Sequence, residues 1–221
     1  MPVRDVLARP AWTVLLIGGN SGAGKTTVAN AIGRLLGVNV AQADTYRLIV
    51  ERVAVANGRL AEMDAPTTAE ACCAALRARA EALHPMLEVV TAYHVATRAP
   101  LILEGDCLVP AFAVNRLHAY VPVAKQLRAV FVLDRNRDFL LRKQRRRGRG
   151  FTLLAPERQA LHVDGDLRYA DWLHDEALAH GCAVLEPPEE QSVDDIAHQI
   201  IGQLDLARLP EPAAQRSTGA R

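Results

Sequence analysis

Short apolar segments alternate with longer amphipathic segments along most of this 221-residue sequence. Five apolar runs, rich in Val, Ile and Leu, have the length and composition of buried parallel strands. They cover residues 12–17, 38–43, 100–104, 127–133 and 182–185. Apolar positions at helical spacing predict helices over residues 27–36, 45–57, 67 or 68–97, 136–147, 158–179 and from 192 onward. Strands that alternate with helices predict an α/β fold, in which a parallel five-stranded sheet is flanked by helices.

For two of the predicted helices the sequence allows more specific predictions. In the helix over residues 45–57, the side chains of Leu48, Ile49 and Val53 are expected to face the core. The long helical segment that ends near residue 97 contains Pro85. We expect this proline to break or kink the segment, because proline lacks a backbone donor and clashes with the preceding turn.

A glycine-rich stretch directly follows the first predicted strand. Its sequence is Gly19-Asn20-Ser21-Gly22-Ala23-Gly24-Lys25-Thr26, which matches the pattern G-x-x-x-x-G-K-[ST]. Such a loop aims consecutive backbone N–H groups at phosphate oxygens, and its glycines let the backbone come close to the anion. A chance match in an ordinary turn is the alternative, but the strand before the loop and the helix after it favour a phosphate site.

Residues 19–27 are therefore predicted to bind ATP. Lys25 would place a positive charge beside the β- and γ-phosphates, and Thr26 would offer its hydroxyl to Mg²⁺. Thr27 lies in the first turn of the following helix, whose N-terminal dipole attracts the anion.

Carboxylates follow the second and third predicted strands. The carboxyl ends of parallel strands meet at one edge of a sheet, so Asp44, Glu104 and Asp106 should lie around the same crevice as the phosphate loop. We predict that Asp44 binds the substrate and either acts as base on its hydroxyl or orders Mg²⁺. Glu104 is predicted to hold the metal or its water, and Asp106 to contact the substrate. The alternatives are a helix cap at Asp44 and a surface turn at Glu104–Asp106.

The arginines of the chain fall into two groups of interest. Arg47, one helical turn after Asp44, is a candidate for gripping an anionic group of the substrate, although exposed arginines are usually solvated. A denser basic run covers residues 142–150 and ends in Gly-Arg-Gly. We interpret residues of about 140–157 as a closing lid that brings cations to the transferring phosphate, with Arg142, Arg146 and Arg149 as candidates. The alternative is a solvated or nucleic-acid-binding run.

The amino-acid composition restricts the partners and the cellular compartment that we expect for this protein. The net charge is +1, which gives no overall field that favours nucleic acid or a membrane surface. No apolar run approaches the ~20 residues that span a bilayer. The four cysteines, at positions 72, 73, 107 and 182, form neither a disulfide framework nor a zinc pattern. Together with the lack of a signal-peptide pattern, this predicts a cytoplasmic protein.

The length is compatible with one domain over residues 1–206. Residues 207–221 are rich in Pro, Ala, Arg and Ser and are predicted to form a disordered tail. Nothing in the sequence decides whether the protein is a monomer or a homodimer.

Two segments resemble a known group of proteins. Residues 16–27, with the phosphate loop, are similar to the P-loop small-molecule kinases, and within them to the 2-phosphoglycerate-kinase-like proteins that are often described as AAA-family ATPases. Residues 103–110 are similar to that group's strand-three segment, Glu-Gly-Val-His-Leu-Val-Pro. The resemblance covers roughly residues 12 to 205. This chain departs from it at Asp106-Cys107, where the group has Val-His.

The resemblance implies a nucleoside-kinase-like fold, ATP with Mg²⁺, and phosphoryl transfer to a small hydroxylated acceptor. It also implies that Asp44, Glu104 and the lid arginines share the catalytic crevice. Because Asp106 is negative, it disfavours a doubly anionic phosphoglycerate as acceptor. Two alternatives stay open: an antibiotic phosphotransferase similar to the chloramphenicol-modifying kinases, and a nucleotide-dependent switch or RNA-binding accessory that uses the basic run.

Overall fold

The structure is a computed structural model that describes residues 12–56, 65–116, 126–148 and 150–207. Its strands are β1 (Val14–Gly18), β2 (Asn39–Gln42), β3 (Leu101–Glu104), β4 (Leu127–Val132) and β5 (Ala183–Leu185). They form one parallel sheet in the order β2-β3-β1-β4-β5. The predicted five-stranded parallel α/β fold is therefore confirmed, and each strand lies within two residues of its predicted position.

Six α-helices accompany this sheet within the described ranges. They are α1 (Lys25–Leu36), α2 (Ala43–Ala56), α3 (Ala69–Thr97), α4 (Arg137–Arg147), α5 (Pro156–Ala179) and α6 (Val193–Gln203). Thr68, Asn136 and Ser192 cap α3, α4 and α6, because each side-chain oxygen accepts a hydrogen bond from a backbone N–H of the first turn. Short π-helical and 3₁₀ turns at Phe112–Arg116 and Phe151–Leu153 were not predicted.

The sheet separates two hydrophobic cores, and β1 contributes to both. Val14 and Leu16 pack on one face with residues of α3 and α5, whereas Leu15 and Ile17 pack on the other face with residues of α1 and α6. All five residues of β1 are buried. This two-sided burial explains why the strand is a continuous apolar run and does not alternate between apolar and polar residues.

One expectation about the helices is wrong, and one alternative within another is excluded. Leu48, Ile49 and Val53 are 53%, 56% and 55% exposed, although they were expected to face the core. The reason is that α2 follows an edge strand and begins at Ala43, so that Ala43 and Tyr46 form its buried side. The helix α3 continues through Pro85, so the break is excluded and the kink stays a prediction.

Because the strands are parallel, the loops after β1, β2, β3 and β4 lie at the same edge of the sheet, with the loop of the central strand β1 among them. Among the described residues, no helix is both long and apolar enough to cross a bilayer. The predicted tail lies outside the described residues, apart from Ala207. The division into one domain with a lid stays a prediction.

Candidate functional site

The phosphate-binding pattern forms the loop between β1 and α1. Gly19 has φ of 141°, and a Cβ at this position would lie 1.9 Å from the carbonyl oxygen of Val132 on β4. Gly24 caps α1 in the left-handed conformation, with φ of 96°. A side chain is excluded at Gly19 and strained at Gly24, which accounts for two of the glycines in the pattern.

A buried asparagine fixes this loop to the end of β4. Asn20 is fully buried, and its side-chain amide donates to the carbonyl oxygen of Asp134 at 2.9 Å. The backbone N–H of Asp134 donates back to Asn20 Oδ1 at 3.1 Å. Lys25 is 8% exposed, and its Nζ donates to the carbonyl oxygen of Asn20 at 2.8 Å. The lysine is thus held beneath the loop, where the sequence predicts that phosphates bind.

The hydroxyl of Thr26 is hydrogen-bonded to Glu104 at the end of β3. Thr26 Oγ1 donates to Glu104 Oε1 at 2.8 Å, and Glu104 is 4% exposed. Burial raises the pKa of Glu104, the hydrogen bond from Thr26 and the charge of Lys25 act in the opposite direction, and the charge of Asp44 adds to the increase. The two residues predicted to bind metal are therefore in direct contact.

These oxygens suit Mg²⁺ by their chemistry. Mg²⁺ prefers hard oxygen ligands, keeps several waters, and is usually bound through one or two carboxylates together with substrate phosphates. Thr26 and Glu104 supply one hydroxyl and one carboxylate. Within the described ranges, no group of three or more His, Cys, Asp or Glu side chains is arranged to hold a metal ion. The fit is to a metal that arrives with a nucleotide and not to one held by protein ligands alone.

The opposite wall of the site is formed by the loops after β2 and β3. Asp44 lies in the first turn of α2, which begins at Ala43, so it is not the residue that caps this helix. Gly105 follows Glu104 and lies close to Ala43, since a Cβ on Gly105 would come 2.7 Å from the Cβ of Ala43. The hydroxyl of Tyr169 on α5 donates to the backbone carbonyl of Asp106 at 2.7 Å. These contacts fix Asp44 and Asp106 on neighbouring loops.

A cleft of 420 Å³ separates the two walls. It is lined by Ser21, Gly22, Gly24, Lys25, Thr26, Thr27, Gln42, Asp44, Glu104, Gly105, Asp106, Lys143, Arg146 and Arg147. The structure therefore brings together most of the residues that the sequence selected. Gly19, Asn20 and Ala23 belong to the same loop but are buried and are not among the residues that line the cleft.

The basic run is divided between the cleft and the surface. Arg146 lines the cleft as predicted, together with Lys143 and Arg147. Arg142 does not line it, because its guanidinium pairs with Glu189 at 3.2 Å and its side chain is 60% exposed. Arg149, the remaining candidate, lies outside the described residues.

Arg47 is engaged by carboxylates of its own helix. Its Nη1 donates to both carboxylate oxygens of Glu51, at 2.9 and 3.0 Å, and its Nε lies 3.5 Å from Asp44 Oδ1. Burial lowers the pKa of Arg47, but Glu51, Asp44 and Asp106 together raise it. Arg47 is not among the residues that line the cleft.

Sequence reasoning missed several residues of the site. Leu140 and Gln144 form the buried side of α4, which places Lys143 and Arg147 beside it over the phosphate loop. The apolar Leu140 within a basic helix was the available signal for that orientation. Asp166 on α5 accepts a hydrogen bond from Gln144 at 2.6 Å. No local pattern indicates this pair, because the contact joins residues from two helices.

Comparison with known proteins identifies the fold. No family model and no curated protein matches this sequence. A gluconokinase from Sinorhizobium meliloti 1021 is 14% identical, with a TM-score of 0.54 over 89% of this chain and 94% of the other. Shikimate kinase from Acinetobacter baumannii, solved in complex with shikimate, is 16% identical, with a TM-score of 0.52 over 92% and 98%. Shikimate kinase from Bacteroides thetaiotaomicron is 18% identical, with a TM-score of 0.53 over 88% and 99%.

At these identities the similarity is one of fold alone. This chain has the fold of the P-loop small-molecule kinases, so the resemblance predicted from residues 16–27 is confirmed at that level. The narrower 2-phosphoglycerate-kinase-like assignment stays a prediction.

Proposed function

We propose that this protein is an ATP-dependent phosphotransferase that acts on a hydroxyl group of a small metabolite. One observation carries the proposal: Lys25 and the hydrogen-bonded pair Thr26–Glu104 line the same cleft of 420 Å³ as Asp44. A phosphate loop alone indicates nucleotide binding. The carboxylate on the opposite wall adds a group that can accept the proton of an acceptor hydroxyl. The gluconokinase and shikimate kinase folds support the same class of reaction.

In the proposed reaction, the γ-phosphoryl group of ATP is transferred to the acceptor within this cleft. The acceptor's hydroxyl oxygen forms a bond to the γ-phosphorus of ATP, and the bond from that phosphorus to the β–γ bridging oxygen breaks. ADP leaves with the electron pair, and the hydroxyl proton passes to the carboxylate of Asp44. Lys25, Arg146 and Arg147 offset the negative charge of the transferring group. Backbone N–H groups of residues 19–27 hold the remaining phosphate oxygens.

Thr26 and Glu104 are the residues that would hold Mg²⁺ in this site. When bound, Mg²⁺ neutralises charge on the phosphate oxygens that it contacts. Glu104 also fixes the Thr26 hydroxyl through the hydrogen bond already in place.

The other functions considered receive less support. An antibiotic phosphotransferase was expected to have an apolar acceptor pocket walled by the segment that forms α3, but no residue of α3 is among those that line the cleft. A nucleic-acid footprint was expected on the basic run. There, Arg142 and Lys143 are paired with Glu189 and Asp134, which leaves fewer cations for phosphates of a polynucleotide.

The test is ATP turnover with Mg²⁺ against a panel of hydroxylated acceptors, with and without Lys25→Met. We expect at least one acceptor to raise turnover above the rate in water, and the variant to lose at least about 100-fold of that activity. Arg34→Ala is the matched control. It removes an exposed cation from the last turn of the same helix, far from the loop, and should retain activity. Turnover that survives in the Lys25 variant would reject the proposal.

A further inference from the structure

The cations that line the cleft among the described residues lie on one of its two sides, which also holds the carboxylate of Glu104. The cations that line it are Lys25, Lys143, Arg146 and Arg147. Lys25 belongs to the phosphate loop, and the other three lie on α4, which rests on that loop because Leu140 and Gln144 approach Gly22. All the lining cations among the described residues are therefore associated with the side where phosphates would bind.

On the opposite side, the charged side chains that line the cleft among the described residues are both carboxylates. Its lining residues among those described are Gln42, Asp44, Gly105 and Asp106. The register of β2 and β3 pairs Gln42 with Glu104, so the loops that follow these strands lie side by side. Both carboxylates act on the guanidinium of Arg47, which indicates that Asp44 and Asp106 lie near one another.

The positive charge of Arg47 does not neutralise the carboxylates around it. Arg47 is bound by both oxygens of Glu51 and lies close to Asp44. When Asp44, Glu51 and Asp106 are counted with Arg47, three negative charges stand against one positive charge, and the group remains negative. Among the residues that the structure describes, an incoming carboxylate or phosphate would find no cation on this wall that is not already engaged by a carboxylate.

Asp106 is held in place by its backbone. Its carbonyl accepts from Tyr169, a fully buried side chain, and the next residue, Cys107, is 2% exposed. These two contacts hold the backbone of Asp106 in place beside the cleft that its side chain lines. A negative group on an acceptor in this cleft would therefore lie beside the carboxylate of Asp106, and the two like charges would repel each other.

We infer that the acceptor is a neutral or amine-bearing alcohol without a carboxylate or phosphate, and that Asp106 is the residue that excludes anionic acceptors. This inference rests on the kinase function proposed above and narrows its substrate class. Asp106 accepts hydrogen bonds from hydroxyl groups of the acceptor, and a protonated amine would make a charge-assisted contact with it. Gluconate and shikimate, which name the structurally similar kinases, are carboxylates and would be poor acceptors here.

The experiment compares acceptors that share a carbon skeleton and differ in charge. One set is glucose, gluconate and glucosamine, and another is glycerol, glycerate and 3-aminopropane-1,2-diol. For each compound, kcat/KM for ATP-dependent phosphorylation is measured in the wild type and in Asp106→Asn. We expect the neutral and amine members to exceed the acid by about tenfold or more in the wild type. Asp106→Asn should reduce that ratio by about tenfold, because it removes the repelling charge and leaves the backbone contact with Tyr169 intact.

Binding is measured alongside turnover, as the shift in thermal midpoint with Mg²⁺ and a non-hydrolysable ATP analogue. Asp175→Asn, which removes an 84% exposed carboxylate from α5, is the matched control and should leave the ratios unchanged. The inference is overturned if the acids are the better acceptors or ligands, if Asp106→Asn leaves the ratios as they were, or if no neutral or amine member is phosphorylated or bound. Phosphorylation of the acids alone would overturn it while leaving the kinase proposal standing. The kinase proposal itself would be rejected by a different result, namely ATP turnover that survives in Lys25→Met.

Discussion

Gln144 donates a hydrogen bond of 2.6 Å from its side-chain amide to Asp166, which joins α4 to α5. The same side chain lies against the phosphate loop, since a Cβ on Gly22 would come 3.6 Å from Gln144 Cγ. Burial raises the pKa of Asp166 from 3.8 to about 7, and the charge of Asp106 adds to the increase, while the Gln144 hydrogen bond and Lys25 oppose it. A carboxyl group that titrates near neutral pH therefore lies one side chain away from the loop.

The raised pKa of Asp166 predicts a pH dependence of stability. The folded protein keeps the proton on Asp166 up to about pH 7, whereas the unfolded chain loses it near 3.8. The stability from this proton is therefore fully present below the lower value and is lost as the pH rises through the higher one, with a slope of up to about 1.4 kcal/mol per pH unit. Asp166→Asn removes this titration, so the variant should gain stability relative to the wild type as the pH rises from about 4 to 7.

Urea denaturation of both proteins at a series of pH values measures the effect. Asparagine keeps an oxygen that can accept from Gln144, so the pair can remain hydrogen-bonded in the variant. Asp175→Asn, on the same helix but 84% exposed, serves as the control for loss of a carboxylate as such. A constant difference between Asp166→Asn and wild type across this pH range would contradict the prediction.

The sequence predicts the local features of this fold well because they depend on neighbouring residues. The position of each strand follows from a short apolar run, and the phosphate loop follows from eight consecutive residues between β1 and α1. The strand order β2-β3-β1-β4-β5 does not follow from local pattern, because it depends on contacts between distant segments. The exposure of Leu48 was missed for the same reason, since nothing local indicates that α2 follows an edge strand.

The residues of the candidate site also differ in whether local sequence predicts them. Lys25, Asp44 and Glu104 are predictable from their places at strand ends, which the topology of a parallel sheet sends to one edge. On α4 the sequence selected Arg146, which lines the cleft, but also Arg142, which does not, and it missed Lys143 and Arg147. Local pattern cannot separate these residues, because three-residue and four-residue spacings relate several pairs within residues 142–149 equally well. Only the packing of Leu140 onto the loop decides that Lys143 and Arg147 face the cleft.

Glu104 offers a prediction in which stability and metal dependence change in different directions. Burial raises its pKa, so the charged carboxylate is disfavoured in the folded state and costs stability above the raised pKa. Glu104→Gln keeps an oxygen that can accept from Thr26 and removes the charge. We expect the variant to be at least as stable as the wild type at pH 8, while the Mg²⁺ concentration for half-maximal turnover rises by about 10- to 100-fold.

Thermal unfolding at pH 8 and a Mg²⁺ titration of ATP turnover give the two readouts. Thr26→Val is the companion variant, because it removes the hydroxyl but keeps Glu104 charged and buried without its hydrogen bond. Thr26→Val should be less stable than the wild type, and the Mg²⁺ concentration that it needs for half-maximal turnover should also rise. An unchanged Mg²⁺ requirement in Glu104→Gln would contradict the metal-binding role proposed for this residue.

The basic helix α4 allows a direct comparison between a cation in the cleft and one outside it. Arg147 lines the cleft, and its charge acts on Glu104, whereas Arg142 is paired with Glu189 at the surface. The two residues lie on the same helix and have the same side chain. Arg147→Ala should therefore lower kcat by about 100-fold or more, because it removes a positive charge from the phosphate side of the cleft. Arg146→Ala, which also changes a residue that lines the cleft, should have an effect in the same direction.

Arg142→Ala separates this geometry from the assignment made on sequence alone, which placed Arg142 among the catalytic residues. An exposed ion pair contributes little, so turnover in Arg142→Ala should stay within about twofold of the wild type. Initial rates at saturating ATP, with circular dichroism to verify that each variant is folded, make the comparison. If α4 moves on nucleotide binding so that Arg142 enters the cleft, Arg142→Ala will lose as much activity as Arg147→Ala. Equal losses would therefore refute the division of α4 into a cleft side and a surface side, because an arginine held by Glu189 has no contact through which to affect the transfer.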